Sequence, residues 1–175
     1  MRTLHICFCL VGCFFLAYAA IVSAEDGGNK VPTTYSFKSL SLELASKAAW
    51  GALKKCRKQG YAVAVAVLDR GGNVQALLRD GSAGPHAPET AIRKTWSANT
   101  FRQSTASLAS LLKGGDMPHQ AQHIPGILLV GGALTIAASG HHLGAIGVSG
   151  APADVDHECA IAGIEVIQED LDFDE

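Results

Sequence analysis

The spacing of apolar residues predicts a helix followed by a β-hairpin. Apolar positions recur every three or four residues from Ser41 to Lys58, as on one face of an amphipathic helix, and Gly60 follows this run. From Tyr61 to Leu68 alanine alternates with valine, and Val74 to Leu78 is again largely apolar. The glycines between these two runs are typical of a tight turn, so we expect the runs to pair as antiparallel strands.

Helical spacing recurs in three later segments. Pro88 stands where the first turn of a helix tolerates proline, and the pattern predicts a helix from there to about Phe101. A short helix is predicted from Ser104 to Lys113. A last helix is predicted from Asp154 to Asp170, whose first turn carries acidic residues that suit the positive end of a helix.

Two further apolar runs predict the remaining strands. The first extends from Ile127 to Ala138 and is interrupted by Gly131 and Gly132, which indicates a bulge or a break. The second extends from Leu143 to Ser149. Strands in adjacent pairs, with helices before, between and after them, predict an α+β fold with a central antiparallel β-sheet and packed α-helices.

The N-terminus has the composition of a secretory leader. Arg2 precedes an almost uninterrupted apolar run from Leu4 to Val22, and small residues lead up to Glu25. This pattern predicts a signal peptide at residues 1–24, removed after Ala24, and therefore a mature protein that is secreted or periplasmic. The apolar run is nearly long enough for an uncleaved membrane anchor, which is the alternative.

The rest of the chain is long enough for one domain. We assign a flexible N-terminal segment to residues 25–40, the domain to residues 41–170 and an acidic tail to residues 171–175. Beyond the leader the cysteines are Cys56 and Cys159. In an exported domain they can form a disulfide, and they can equally be two small buried side chains. Both interpretations stay open at this point.

Charge and motif spacing exclude several classes of protein. The chain has 14 basic and 16 acidic residues and a net charge of −2, which argues against nucleic-acid binding. We also expect no membrane contact once the leader is removed. In the segment GHHLGAIGVSGAP, Ser149 lacks a nucleophile elbow because Ala151 stands where that motif needs glycine. The glycines of this segment also lack the context of a dinucleotide-binding loop. We therefore assign no catalytic residue.

Among the histidines, His86 has the most suggestive position. It lies in the loop DGSAGPHAPE, between the end of a predicted strand and the start of a predicted helix. Loops held by rigid elements concentrate ligand contacts, and imidazole suits iron and other borderline metals. An ordinary surface histidine is the alternative. His119 and His123 would share a face if helical, but the neighbouring prolines argue against that helix, and no third ligand is evident.

Three segments of the chain resemble the GlcG/HbpS family, which is related to the C-terminal domain of PduO-type proteins. They are VLDRGGNVQALLRDGSAGPHAPETAIRKTWSANTF, IPGILLVGG and GAIGVSGAPADVDHECAIAGI, and the resemblance extends over roughly residues 41–168. It implies a profilin-like α+β fold and a homo-oligomer. It also implies non-covalent binding of haem or a related tetrapyrrole, with haem degradation or iron binding ascribed to some members.

On this resemblance, His86 is the candidate axial ligand of the haem iron, and Arg79 and Lys94 are candidates to pair with the propionates. The alternative is that Arg79 lies at a solvated strand end and Lys94 on a solvated helix face. Two departures from the family pattern stand out in the sequence. Ala133, Leu134 and Thr135 follow the double glycine, and Thr95 and the bulky Trp96 follow Lys94.

The sequence supports more than one function. The leading hypothesis is an exported haem-binding protein with haem-degrading or iron-binding activity as a further step. A first alternative is a non-catalytic oligomeric assembly or sensor-accessory protein, which the high glycine and alanine content favours. A second is binding of cobalamin or another small ligand, as in other relatives. Whether the protein is an enzyme is left open.

Overall fold

Residues 33–172 are the part of the chain that the computed structural model describes. The signal peptide predicted at residues 1–24 lies outside this range, as do residues 25–32 and 173–175. Residues 33–36 belong to a separate unit and contain no helix or strand. No helix within the described range is long and apolar enough to cross a membrane. The elements are, in order, α1 (Leu42–Lys58), β1 (Ala64–Asp69), β2 (Val74–Arg79), α2 (Ala87–Phe101), α3 (Thr105–Gly114), a 3₁₀ helix (His119–His123), β3 (Ala133–Ala138), β4 (His141–Ser149), α4 (Ala153–Glu165) and α5 (Gln168–Asp172).

The strands form one antiparallel sheet in the order β2-β1-β4-β3, which confirms the predicted α+β fold. The hairpin between β3 and β4 turns at Ser139 and Gly140, both with positive φ (47° and 74°). Two such residues are characteristic of the tight turn whose twist suits a hairpin. β4 therefore begins at His141, two residues earlier than predicted, while β3 begins only after the double glycine, at Ala133.

Helices cover both faces of the sheet, and the alternation in β1 explains how. Val65 and Val67 point into the larger core, formed with α1 and α4. Ala64 and Ala66 point to the opposite face, where they pack against Ala91 and its neighbours in α2. Small side chains on this second face allow α2 to approach the strands closely, so alanine and valine alternate because the two layers need different volumes.

The C-terminal region differs from the prediction in detail. The single helix expected from Asp154 to Asp170 is two helices, α4 and α5, separated at Val166 and Ile167. Leu40 and Leu171, which the sequence analysis assigned to the flanking segments, are both buried. The packed part of the domain therefore extends slightly beyond residues 41–170 at each end.

Cys56 of α1 and Cys159 of α4 form a disulfide, with their Cα atoms 5.6 Å apart. Both cysteines are fully buried. The structure thus decides between the two interpretations that the sequence left open. The bond joins two residues that are 103 positions apart in the chain and links the two helices that cover one face of the sheet.

Removing this bond will destabilise the protein. A disulfide that closes a loop of about 100 residues contributes about 4–5 kcal/mol, largely by restricting the unfolded chain. We expect urea unfolding of the native protein to shift to lower denaturant when a reductant is added. The Cys56→Ala, Cys159→Ala double variant serves as the control, since its unfolding curve should not respond to the reductant. Equal midpoints for the oxidised and reduced native protein would contradict the expectation.

Candidate functional site

The loop between β2 and α2 is anchored at its base by hydrogen bonds and an ion pair. The Asp80 amide donates to the Val63 carbonyl (2.9 Å), and the Ala83 amide donates to the Asp80 carbonyl (3.0 Å). The Arg57 guanidinium pairs with the Asp80 carboxylate, with Nε 2.8 Å from Oδ1. Because α1, β1 and β2 all contribute, the loop that carries His86 starts from a defined point.

His86 is the residue that immediately precedes α2, and its side chain is exposed. The imidazole ring lies over Gly84. A Cβ atom at Gly84 would come within 2.6 Å of the ring carbon Cε1. The absence of a side chain at Gly84 therefore permits this ring position. Within residues 33–172, neither nitrogen of this ring makes a hydrogen bond.

Arg79 belongs to the same loop structure. Its guanidinium Nη2 donates to the Ala83 carbonyl, while the side chain as a whole stays exposed. Arg79 is paired across the strands with Ala64, and Leu77 with Ala66. Directly opposed residues point to the same side of a sheet, so Arg79 and Leu77 face the side that carries α2. The structure thus brings Arg79 and His86 to one region.

This side of β2 forms a partly open apolar surface, which we call the β2 shelf. It consists of Leu77 and Arg79 on the strand and Ile92 and Trp96 on the flank of α2. Helix α2 packs mainly on β1 and β4, so the edge strand β2 is left largely uncovered and Leu77 is 43% exposed. Ile92 and Trp96 are half-buried against the alanine-rich core below.

Lys94 lies elsewhere. It is only 3% exposed, and its Nζ is 2.8 Å from Asp156 Oδ2 and 3.2 Å from the Val148 carbonyl. It is eight residues beyond His86 along α2, a separation of about 12 Å along the helix axis. The structure therefore does not bring Lys94 together with Arg79 and His86. Its ammonium group joins α2 to β4 and α4.

The partner of Lys94 was not identified from the sequence. Asp156 is 1% exposed and its second oxygen accepts a hydrogen bond from the Ala151 amide (3.1 Å). Burial raises the pKa of Asp156, and the Lys94 hydrogen bond and charge lower it in part. Gly132 leaves room for the pair, since a Cβ there would lie 2.8 Å from that of Asp156. A lysine on the alanine-rich face of α2 was the signal that could have indicated a buried partner.

The departures from the family pattern have structural roles. Thr95 is buried between α2 and the sheet, where its hydroxyl donates to the Ala91 carbonyl (2.7 Å). Trp96 lies beside the hairpin turn, close to Gly72 and Gly126. Ala133 is a buried residue of β3 paired with Gly147 of β4. Thr95 and Ala133 thus fill the core, and Trp96 borders the β2 shelf.

The remaining candidate groups form no metal site within residues 33–172. His119 and His123 are exposed on the 3₁₀ helix, and the described residues contain no cluster of three histidine, cysteine or acidic side chains suited to a metal ion. A cleft of about 260 Å³ lies between the start of α1, Leu143 and the C-terminal helix. None of Arg79, His86 and Lys94 lines it.

Comparison with known proteins identifies the class. The family described as "Haem degrading protein HbpS-like" matches residues 40–165, and the chain belongs to this family. The crystal structure of HbpS superposes with a TM-score of 0.72 at 38% identity, covering 77% of this chain and 94% of HbpS. The ORFY protein of Klebsiella pneumoniae gives a TM-score of 0.74 at 26% identity, covering 79% of this chain and 97% of ORFY.

Two further relatives extend the comparison. An uncharacterised 15.0 kDa protein of Citrobacter freundii is 26% identical over 133 residues, which are 75% of this chain and 94% of that protein. The structure of a PduOC–haem complex has a TM-score of 0.68 at 21% identity, covering 74% of this chain and 95% of PduOC. At that identity the last likeness concerns the fold alone. The GlcG/HbpS resemblance noted in the sequence is thereby confirmed.

Substituting Lys94 by methionine tests how much the buried pair contributes to the free energy of unfolding. The variant leaves the Asp156 carboxylate buried without its cation, which costs about 3–5 kcal/mol of unfolding free energy near neutral pH. The pKa of Asp156 will then rise further above its unfolded value. The loss should therefore shrink as the pH falls through the raised pKa of the folded variant, because the buried carboxyl is then protonated and uncharged.

Urea unfolding at pH 7 and pH 4 measures this effect. Lys113→Met is the matched control, since Lys113 is exposed at the end of α3 and its loss should change stability little at either pH. Equal unfolding free energies for Lys94→Met and Lys113→Met would contradict the role assigned to the pair.

Proposed function

We propose that this protein is an exported haem-binding protein that holds the porphyrin non-covalently against the β2 shelf, with His86 as the axial ligand. Membership of a family described as haem degrading supports the ligand class. The haem complex of PduOC, which has the same fold, supports it further. The observation that carries the proposal for this chain is the exposed His86 imidazole, held over Gly84 beside an uncovered apolar surface.

The donor set suits a haem. A ligating imidazole must be accessible and must present an unprotonated nitrogen to the metal. The ring of His86 is exposed, and neither of its nitrogens makes a hydrogen bond within residues 33–172. Leu77, Ile92 and Trp96 supply apolar contact of the kind that a porphyrin face needs. In this proposal His86 would hold the iron, and the shelf would supply the apolar contact.

Arg79 orients the ligand in this scheme. One N–H of its guanidinium holds the Ala83 carbonyl, and the other donors of the exposed group can pair with a propionate carboxylate. Lys94 contributes differently from Arg79, because its ammonium group is already paired with Asp156. It supports the site by holding α2, and hence His86 at the start of α2, against the sheet.

We extend the proposal to haem degradation or iron binding as a second step. A bound haem would supply the redox chemistry, with oxygen and a reductant added from outside. The chain's own residues would then bind and orient the porphyrin. In the test below, slow loss of the haem absorbance under these conditions supports turnover, and a stable spectrum supports binding alone.

Export is part of the proposal. The leader at residues 1–24 has the pattern of a signal peptide. The buried disulfide between Cys56 and Cys159 is typical of proteins that fold in an oxidising compartment such as the periplasm or the cell exterior.

A homo-oligomer is also proposed, because β2 is an edge strand with exposed apolar residues. Val74 is 47% and Leu77 43% exposed, and uncovered apolar edges of this kind favour association. A second copy packed on the β2 shelf would compete with haem for the same surface or enclose it. Measuring the molecular mass with and without haemin distinguishes these two arrangements.

Titration of haemin into the mature protein tests the ligand assignment. We expect a shifted Soret band for the native protein and roughly tenfold or greater weakening of binding in His86→Ala, because loss of a ligand should cost at least as much as loss of its supporting contacts. His123→Ala, which removes an exposed histidine outside the shelf, should behave like the native protein. If His86→Ala retains the native spectrum and affinity, His86 is not the axial ligand. If the native protein gives no shift, haem binding itself is refuted.

A pair of glycine variants in the same loop tests the position of the ring. Gly84→Ala introduces a Cβ within 2.6 Å of the His86 ring and must displace it, so we expect weaker haemin binding or an altered Soret maximum. Gly81→Ala meets no atom within 4 Å and should leave binding unchanged. Identical titrations for the two variants would show that the ring position over Gly84 is irrelevant to binding.

A further inference from the structure

A second polar cluster lies at the other end of α2, away from His86. Three segments meet there: the turn after β1 with Arg70, the end of α2 with Asn99 and Arg102, and the start of β4 with His142. The Asn99 amide connects them. Its Nδ2 donates to the Arg70 carbonyl (3.2 Å), and its Oδ1 lies 2.7 Å from His142 Nε2.

These two hydrogen bonds determine the state of the imidazole. Because Asn99 Nδ2 donates to a carbonyl, the oxygen of the same amide must face His142, and an amide oxygen only accepts. His142 Nε2 therefore carries a hydrogen, and Nδ1 is the unprotonated nitrogen of the neutral ring. His142 is part-buried, so the Asn99 contact holds its ring in one orientation.

Arg102 occupies an unusual backbone conformation. It follows the last residue of α2 with φ 52° and ψ 41°, in the left-handed region. Glycine or asparagine usually occupies this position after a helix, because a larger side chain is strained there. An exposed arginine at this point adds a positive charge beside His142 at some cost to the backbone. Backbone strain of this kind is concentrated at functional sites in proteins.

Arg70 is oriented by an aromatic ring. Its guanidinium carbon lies 4.4 Å from the centre of the Phe37 ring. Stacking uses the face of the planar guanidinium and leaves the N–H groups along its edge able to pair with an oxyanion. Arg70 thus offers a cation of restricted orientation.

The charge around His142 is positive. Burial lowers the pKa of His142, and the charges of Arg102 and Arg70 lower it further. On the neighbouring strand, the carboxylate of Asp69, the residue before Arg70, accepts hydrogen bonds from Asn73 within the β1–β2 turn. Partial burial alone would raise the pKa of Asp69, but these hydrogen bonds outweigh that effect and lower it. Next to His142 in β4, His141 is exposed.

We infer that Arg70, Asn99, Arg102 and His142 form a binding site for a phosphate group, in which His142 takes up a proton as the anion binds. Two guanidinium groups suit the several oxygens of a phosphate, and a protonated Nδ1 adds a further donor. Asn99 keeps the ring oriented in both states. The site shares no residue with the β2 shelf, although Asn99 and Trp96 both approach Gly72. Neither proposal depends on the other.

Inorganic phosphate titrated into haem-free protein, followed by NMR of the histidine rings, tests the site at constant ionic strength. Phosphate should shift the His142 resonances and raise the pKa of His142 from its lowered value, because the anion binds the protonated ring more tightly. Acetate at the same concentration should produce a smaller shift, which separates phosphate recognition from a general response to anions. No response of His142 to phosphate would overturn the proposal.

Arg102→Asn removes one cation while keeping a residue that tolerates the left-handed conformation. We expect the variant to bind phosphate roughly tenfold more weakly than the native protein does, or weaker still, because a hydrogen bond from a charged group is lost. The pKa of His142 without phosphate should rise, because a nearby positive charge is gone. Lys113→Gln removes an equal charge on the exposed end of α3 and should alter neither quantity.

The thermal midpoint separates binding from folding. Arg102→Asn should not lower it, because asparagine relieves strain at this position. If the variant is less stable, His142→Gln provides the second measurement, with phosphate affinity read by calorimetry. Unchanged phosphate affinity in the tested variant would overturn the assignment.

Discussion

The contact between α2 and the sheet depends on the buried pair of Lys94 and Asp156. Burying two charges is costly, and the cost is offset only when their hydrogen bonds are satisfied. Here Lys94 also donates to the Val148 carbonyl, and Asp156 also accepts from the Ala151 amide. The pair therefore ties α2, β4 and α4 together at one point. Because each group would be left unpaired by a shift of α2, the interaction also specifies the position of the helix along the sheet.

Both proposed binding sites follow from that position. His86 stands at the start of α2 and Arg102 at its end, so one rigid helix presents a ligand group at each terminus. The alanines on the buried face of α2 let it approach β1 closely, while the edge strand β2 stays outside its cover. The uncovered strand is the surface to which we assign haem. The two sites share no residue, so each can be tested by its own substitutions.

Sequence reasoning recovered most of the fold and part of the candidate site. The helices and strands were predictable because their apolar spacing is regular, and the α+β class follows from their order. His86 became a candidate through its glycine-containing loop and Arg79 through the family resemblance, and both assignments remain predictions. Asn99 and Arg102 were missed, since nothing local distinguishes them from other polar residues on a helix. The division between α4 and α5 was missed because the apolar spacing continues through Val166 and Ile167.

What the sequence determined by itself is local: the periodicity of each element, the turn glycines and the family motifs. Tertiary structure decided which distant residues meet. Lys94 and Asp156 are 62 residues apart in the chain, and Cys56 and Cys159 are 103 apart. Lys94 lies in the middle of α2 on its alanine-rich face, which indicates burial but does not identify the partner. The identity of the partner depends on the packing of three elements, and only the folded chain specifies it.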